Sequence, residues 1–234
     1  MDRFKGSKKQ MYLLSNQYSF LFEKFVGEKV TWKCPNTEGH EIQLNNKELI
    51  KELQLPNDCF KNFWPIKQPV WDGLAYGIKS NTLFLIEAKA HLDEPMYGGK
   101  LDNNASQKQI DNDNMKSDAI INVMESFGIT DKIEIWRHKY FQLSNRLVFL
   151  KKMKELTNTN CIYKYVKLIY ICFINDPHWE EKKKNPTASQ WKDKFVTIFG
   201  EMGLDMKNME KQGVNIIAID CNSRTLQDLI KDGK

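Results

Sequence analysis

The sequence predicts an α/β domain, a buried sheet with helices outside it, and three observations predict it. Apolar runs of strand length recur at Thr82–Ala90, Lys164–Ile174 and Val214–Ile219. Segments with helical spacing separate them, the clearest being Ala188–Met202, where Trp191, Phe195, Ile198, Phe199 and Met202 share one face. Strands so far apart in the chain must meet in one sheet, with the intervening helices packed on its faces.

The elements follow in order. Residues 8–27 read as one helix, with Tyr12, Leu13, Phe20, Leu21 and Phe25 near a helical period and Gly27 as its stop. Val30–Lys33 is a short strand. Asn46–Leu53 is a short helix closed by Pro56. Pro65 and Pro69 keep the next stretch out of a central strand. Val70–Ile78 and Thr82–Ala90 then form an antiparallel hairpin around the turn Lys79–Asn81. A turn-rich loop, "DEPMYGGKLDNN", precedes two long helices, Ala105–Phe127 and Ile135–Leu156. Beyond the strand Lys164–Ile174, the segment "HWEEKKKNPT" reads as a charged loop, and the tail from 222 to 234 as weakly helical. No repeat or linker divides the chain, so residues 1–234 are expected to form a single domain.

Composition narrows the function classes. The chain has 234 residues, 41% hydrophobic and 28% charged, as expected of a globular protein with a full core. Five cysteines with no C-x-x-C spacing argue against a zinc site or a disulfide framework and fit reduced thiols. No signal peptide and no apolar run near ~18 residues is legible, so a soluble, cytoplasmic protein without membrane contact is expected. The net charge of +5 is compatible with nucleic acid, although only four basic residues are arginines. There is no phosphate-binding G-x-x-x-x-G-K-[ST] loop and no G-x-S-x-G nucleophile elbow.

The chemistry concentrates at the end of the hairpin. Side chains alternate along a strand, so Leu83, Leu85, Glu87, Lys89 and His91 share one side. A carboxylate there must be neutralised, either by a cation held with Asp72 or by an ion pair with a nearby lysine. In the hairpin Asp72 lies nearly opposite Glu87. Two bare carboxylates would repel, and one would keep its proton. Oxygen-only ligation of this kind suits Mg²⁺ or Mn²⁺. A metal that activates water, with Lys89 orienting that water or opposing developing charge, is equipment for phosphodiester hydrolysis. The alternative is a structural Glu87–Lys89 pair.

These residues carry a family resemblance. "PVWDG" followed by "LFLIEAK" resembles the PD-(D/E)xK nuclease signature, although Val70 and Trp71 separate Pro69 from Asp72. Four other acid-x-Lys matches, at Glu180, Glu181, Asp205 and Asp232, lack a preceding apolar strand. Together with "KYFQLSNRLVFLKKM", the pattern is similar to an uncharacterised bacterial group within that superfamily. The resemblance implies a restriction-endonuclease-like core, a central mixed sheet flanked by helices. It implies Asp72 and Glu87 as metal ligands, Lys89 as the group assisting water, and DNA ahead of RNA as substrate, with a homodimer as one arrangement. It also draws in Glu23 as a further metal ligand and Gln142 as a catalytic helper.

Gln142, Asn145 and Arg146 fall on one helix face, where Arg146 suits bidentate phosphate contact, with Asn145 and His91 as further substrate contacts. Ordinary surface pairs are the alternative for that trio, as a strand-end cap is for His91. Trp64, Trp71 and Trp179 are candidate base-stacking groups, with the core as the alternative and the expectation for Trp71. Lys182, Lys183 and Lys184 form either a phosphate-tracking loop or a solvated charge run. The rival from another class is a catalytically idle module that binds nucleic acid or protein on the same fold.

Overall fold

A computed structural model describes residues 5–94, 102, 104–182 and 184–221. Its centre is a five-stranded sheet in which spatial order follows chain order: β1 (Val30–Cys34), β2 (Gly73–Gly77), β3 (Thr82–Lys89), β4 (Tyr165–Ile174) and β5 (Val214–Asp220). The first three strands pair antiparallel, whereas β3, β4 and β5 run parallel. The sheet is therefore mixed, and each parallel pair needs a long helical crossover.

Those crossovers build the layers. Helices α4 (Gln107–Ser126) and α5 (Phe141–Glu155) join β3 to β4, and α6 (Pro177–Glu180), α7 (Ala188–Met202) and α8 (Met206–Lys211) join β4 to β5. The face bearing Leu83, Leu85, Leu168 and Tyr170 packs on Val148, Phe149, Phe195 and Ile198 of α5 and α7. The other face, with Phe84, Ile86, Ile169 and Ile171, packs on Met11, Leu14 and Phe22 of α1 (Gly6–Asn16) and α2 (Ser19–Val26). Because β3 is buried along its whole length, it reads as a continuous apolar run broken only by its end.

Several boundaries differ from expectation for local reasons. The helix expected over 8–27 breaks at Gln17 and Tyr18, where the Asn16 side-chain amide donates to the Tyr12 carbonyl, while Gly27 stops α2 in the left-handed region at φ +78°. The helix expected from Ile135 opens with a π-turn, Ile135–Lys139, that ends at Tyr140. Trp136 anchors that turn by donating its indole N–H to the Met202 carbonyl at 2.9 Å, and Ser144 Oγ donates to the Trp136 and Tyr140 carbonyls. Asn46 caps α3 (Lys47–Glu52), accepting from the Glu48 and Leu49 amides. The short α8 was not expected; it fills the turn before β5, capped by Asp205. The tail from 222, most of the loop 93–104, Lys183 and the match at Asp232 lie outside the described residues.

The strand expected from Val70 begins only at Gly73. Trp71 instead forms an isolated bridge to Ile42 and is fully buried. Gly73 is required there because an added Cβ would sit 2.9 Å from Met11 Cε and 3.0 Å from Ile86 Cβ. Gly73→Ala is expected to cost about 1–3 kcal/mol of stability by overpacking, read as a lower urea midpoint with an unchanged slope.

Candidate functional site

The β2–β3 register pairs Gly73 with Ile86, which places Asp72, the residue just before β2, level with Glu87. Asp72 Oδ2 accepts the Ala88 amide at 2.8 Å, so its carboxyl is fixed to the strand that carries Glu87 and Lys89. Strand alternation sends Glu87 and Lys89 to the α5 face with Leu83 and Leu85, and both are buried.

Helix α5 completes the group. It is an interior helix, with every residue from Leu143 to Leu150 buried, so the surface-helix reading of the Gln142, Asn145 and Arg146 trio gives way. Arg146 Nε and Nη2 converge on Glu87 Oε2 at 2.7 and 2.6 Å, while Lys89 Nζ meets Glu87 Oε1 at 2.5 Å. The guanidinium also donates to the Val70 carbonyl at 2.7 Å and to Asn145 Oδ1 at 3.2 Å, and lies 4.4 Å from the Trp71 ring centroid. Arg146 is thus committed inside the protein, where a phosphate contact was expected.

The electrostatics divide the two acids. Burial works to raise the Glu87 pKa, but Arg146 and Lys89 outweigh it and hold the carboxyl below its usual range. Asp72 has no ion-pair partner among the described residues, and burial, aided by the charge of Glu87, pushes it up to about 8. Lys89 loses by burial and gains more from Glu87, Glu94 and Asp72, so it stays an ammonium at neutral pH. As an ammonium, Lys89 is placed to oppose negative charge.

Two groups at the site were not singled out from the sequence. Glu94 accepts the Ala90 amide at 3.0 Å and the Ser7 hydroxyl at 2.8 Å, and burial raises its pKa while Lys89 opposes the rise. Its signal is slight, an acid in a turn five residues beyond Lys89. Tyr170 stands beside Glu87 in the parallel β3–β4 register, with a buried hydroxyl that has no hydrogen-bond partner among the described residues. Only the strand register could have found it.

Other expected members lie elsewhere or apart. Glu23 is held by Lys29 Nζ at 2.7 Å, Ser19 Oγ at 3.2 Å and the Val30 amide at 3.4 Å. Val30 pairs with Gly77, so Glu23 sits at the opposite end of β2 from Asp72 and does not join the two acids. His91 packs on Trp179, ring centroids 3.9 Å apart. Gln142 precedes Arg146 by one turn and leaves Oε1 buried without a partner among the described residues. Trp64 and Trp71 are core residues, closed to stacking on bases. Lys182 lies over the Trp179 ring and Lys184 pairs with Asp93 at 3.3 Å.

The residues fit a divalent cation in one respect. Asp72 and Glu87 offer hard oxygens on adjacent strands, and Asp72 is a buried acid short of positive charge. Glu87 already gives both oxygens to cations, and among the described residues no group of three or more His, Cys, Asp or Glu is arranged to hold a metal. Among them, too, no helix is long and apolar enough to cross a membrane. No family model, curated protein or solved structure matches the chain.

Proposed function

We propose that the chain hydrolyses phosphodiester bonds in nucleic acid, DNA ahead of RNA, with a PD-(D/E)xK-type site on a restriction-endonuclease-like core, acting in the cytoplasm as a monomer or homodimer. The observation that carries this reading is the Asp72 carboxyl, locked by the Ala88 amide beside Glu87 and Lys89 at the end of the hairpin. Asp72 and Glu87 would hold Mg²⁺ or Mn²⁺. When bound, such a cation supplies Lewis acidity and an acidified water.

The chain's own residues do the rest. Arg146 fixes the Glu87 carboxylate through two N–H bonds, and Asn145 and the Val70 carbonyl fix Arg146 in turn. Lys89 keeps its proton and opposes negative charge growing on a phosphate. Asp72 would give up its proton on holding the cation, since burial and the charge of Glu87 raise its pKa to about 8 and metal binding releases protons.

A second reading is the catalytically idle binding module. It is favoured by Glu87 itself, whose charge is already met by Lys89 and Arg146 without any metal. Cleavage of labelled single- and double-stranded DNA and RNA with Mg²⁺, Mn²⁺ or EDTA separates the two. Metal-dependent cutting is expected, and Glu87→Gln and Lys89→Ala should each lower the rate at least about 100-fold. Equal behaviour of wild type and both variants would sink the hydrolytic reading and leave the binding module.

A further inference from the structure

The end of the sheet remote from Asp72 and Glu87 carries a second feature. Thr82 and Tyr165 open β3 and β4 side by side, and the end of α5 and the turn from α8 into β5 close around them. Between them lies a cleft of about 540 Å³, a volume suited to a small organic ligand. Four lysines line it, Lys154, Lys164, Lys167 and Lys211, and no carboxylate does. None of the four takes part in an ion pair among the described residues.

The surroundings explain why this charge persists. The acid that Lys167 feels is Glu28, whose oxygens already accept from the Lys79 amide and from the Ser80 amide and hydroxyl. Lys154 is tethered, donating to the Gln212 carbonyl at 2.7 Å. Tyr165 stands among the lysines with 62% of its surface exposed. A large ring left in water beside unpaired ammonium groups combines the two means by which single strands are held, base stacking and phosphate attraction.

We infer that this cleft binds a nucleotide unit of single-stranded nucleic acid, with the base on Tyr165 and the phosphates on Lys164, Lys167 and Lys211. The inference stands without the hydrolytic reading. Five residue steps of β3 separate Thr82 from Glu87, about 17 Å of strand, so the cleft is distinct from the acid pair.

Fluorescence anisotropy with a short labelled oligo-dT strand, in EDTA so that nothing metal-dependent is cut, tests it on the full chain. Lys164→Glu/Lys167→Glu should weaken binding at least about tenfold and reduce the salt slope by about 1–2. Tyr165→Ala should weaken it at least about fivefold. Lys192→Glu, an exposed reversal on α7, should bind as wild type does. Displacement by free AMP would name a mononucleotide as occupant, and resistance to AMP would name the strand; both keep the nucleotide assignment. It is overturned if wild type does not bind, if the cleft variants match it, if Lys192→Glu loses as much, or if tripolyphosphate competes as well as unlabelled oligo-dT.

Discussion

Arg146→Met should lower the free energy of unfolding by about 3–5 kcal/mol, the largest single effect expected in this protein. Met keeps a long apolar stem against Trp71 but removes three of the donors that now meet Glu87 and Val70. Glu87 is then a buried carboxylate with Lys89 as its one cation. The loss is a large part of the 5–15 kcal/mol typical of a domain. Glu87→Gln in the same chain should not recover the loss, because it takes from the buried Lys89 ammonium the carboxylate it pairs with. Urea unfolding followed by tryptophan fluorescence reads both. A loss under about 1 kcal/mol would show that Lys89 suffices alone.

The second large effect is on pH. The Asp72 carboxyl keeps its proton in the folded protein up to about 8, whereas in the unfolded chain it ionises near its ordinary value of 3.8. Between those values the unfolded chain binds fewer protons, so stability is full below the lower one and declines as pH rises through the upper one. Glu94, also raised, acts with the same sign. Glu87, lowered, acts with the opposite sign, and its contribution is lost on acidification. Asp72→Asn should therefore flatten the decline and be more stable than wild type at alkaline pH by about 2–4 kcal/mol. Saturating Mg²⁺ should restore wild type there by about 2.7 kcal/mol at 100 times its dissociation constant, and should leave Asp72→Asn unmoved. Parallel stability–pH curves for the two proteins would show that Asp72 titrates normally.

Much of the frame was legible because burial leaves a mark on the chain. The strands β3, β4 and β5 and helix α7 fall within a residue or two of their expected positions, since each is an unbroken apolar run or a regular apolar stripe bounded by turn residues. The level pairing of Asp72 with Glu87 was readable from hairpin arithmetic alone. The breaks were not. Tyr140 and Gln17 carry no Gly or Pro; what ends the helix at Tyr140 is an indole bonded to a carbonyl 66 positions away. Arg146 as the partner of Glu87 was equally hidden, because helical spacing gives a face but not which layer that face meets. Glu23 shows the converse: its place in the chain suggested a ligand, and only the β1–β2 register puts it at the far end of the sheet.

The split between antiparallel and parallel strands sets an order of events on the ribosome. The β2–β3 hairpin is complete once the chain has reached Lys89, and its contacts are local. The cation that best matches Glu87 lies 59 residues later, and β4 later still. At roughly 5–20 residues per second, Arg146 follows by about 3–12 s. For that interval the nascent hairpin exposes the β3 edge with an acid that has only Lys89 beside it. Charged side chains at that edge oppose edge-to-edge pairing with other chains. The same carboxylate that must be neutralised in the finished fold thus guards the unfinished one.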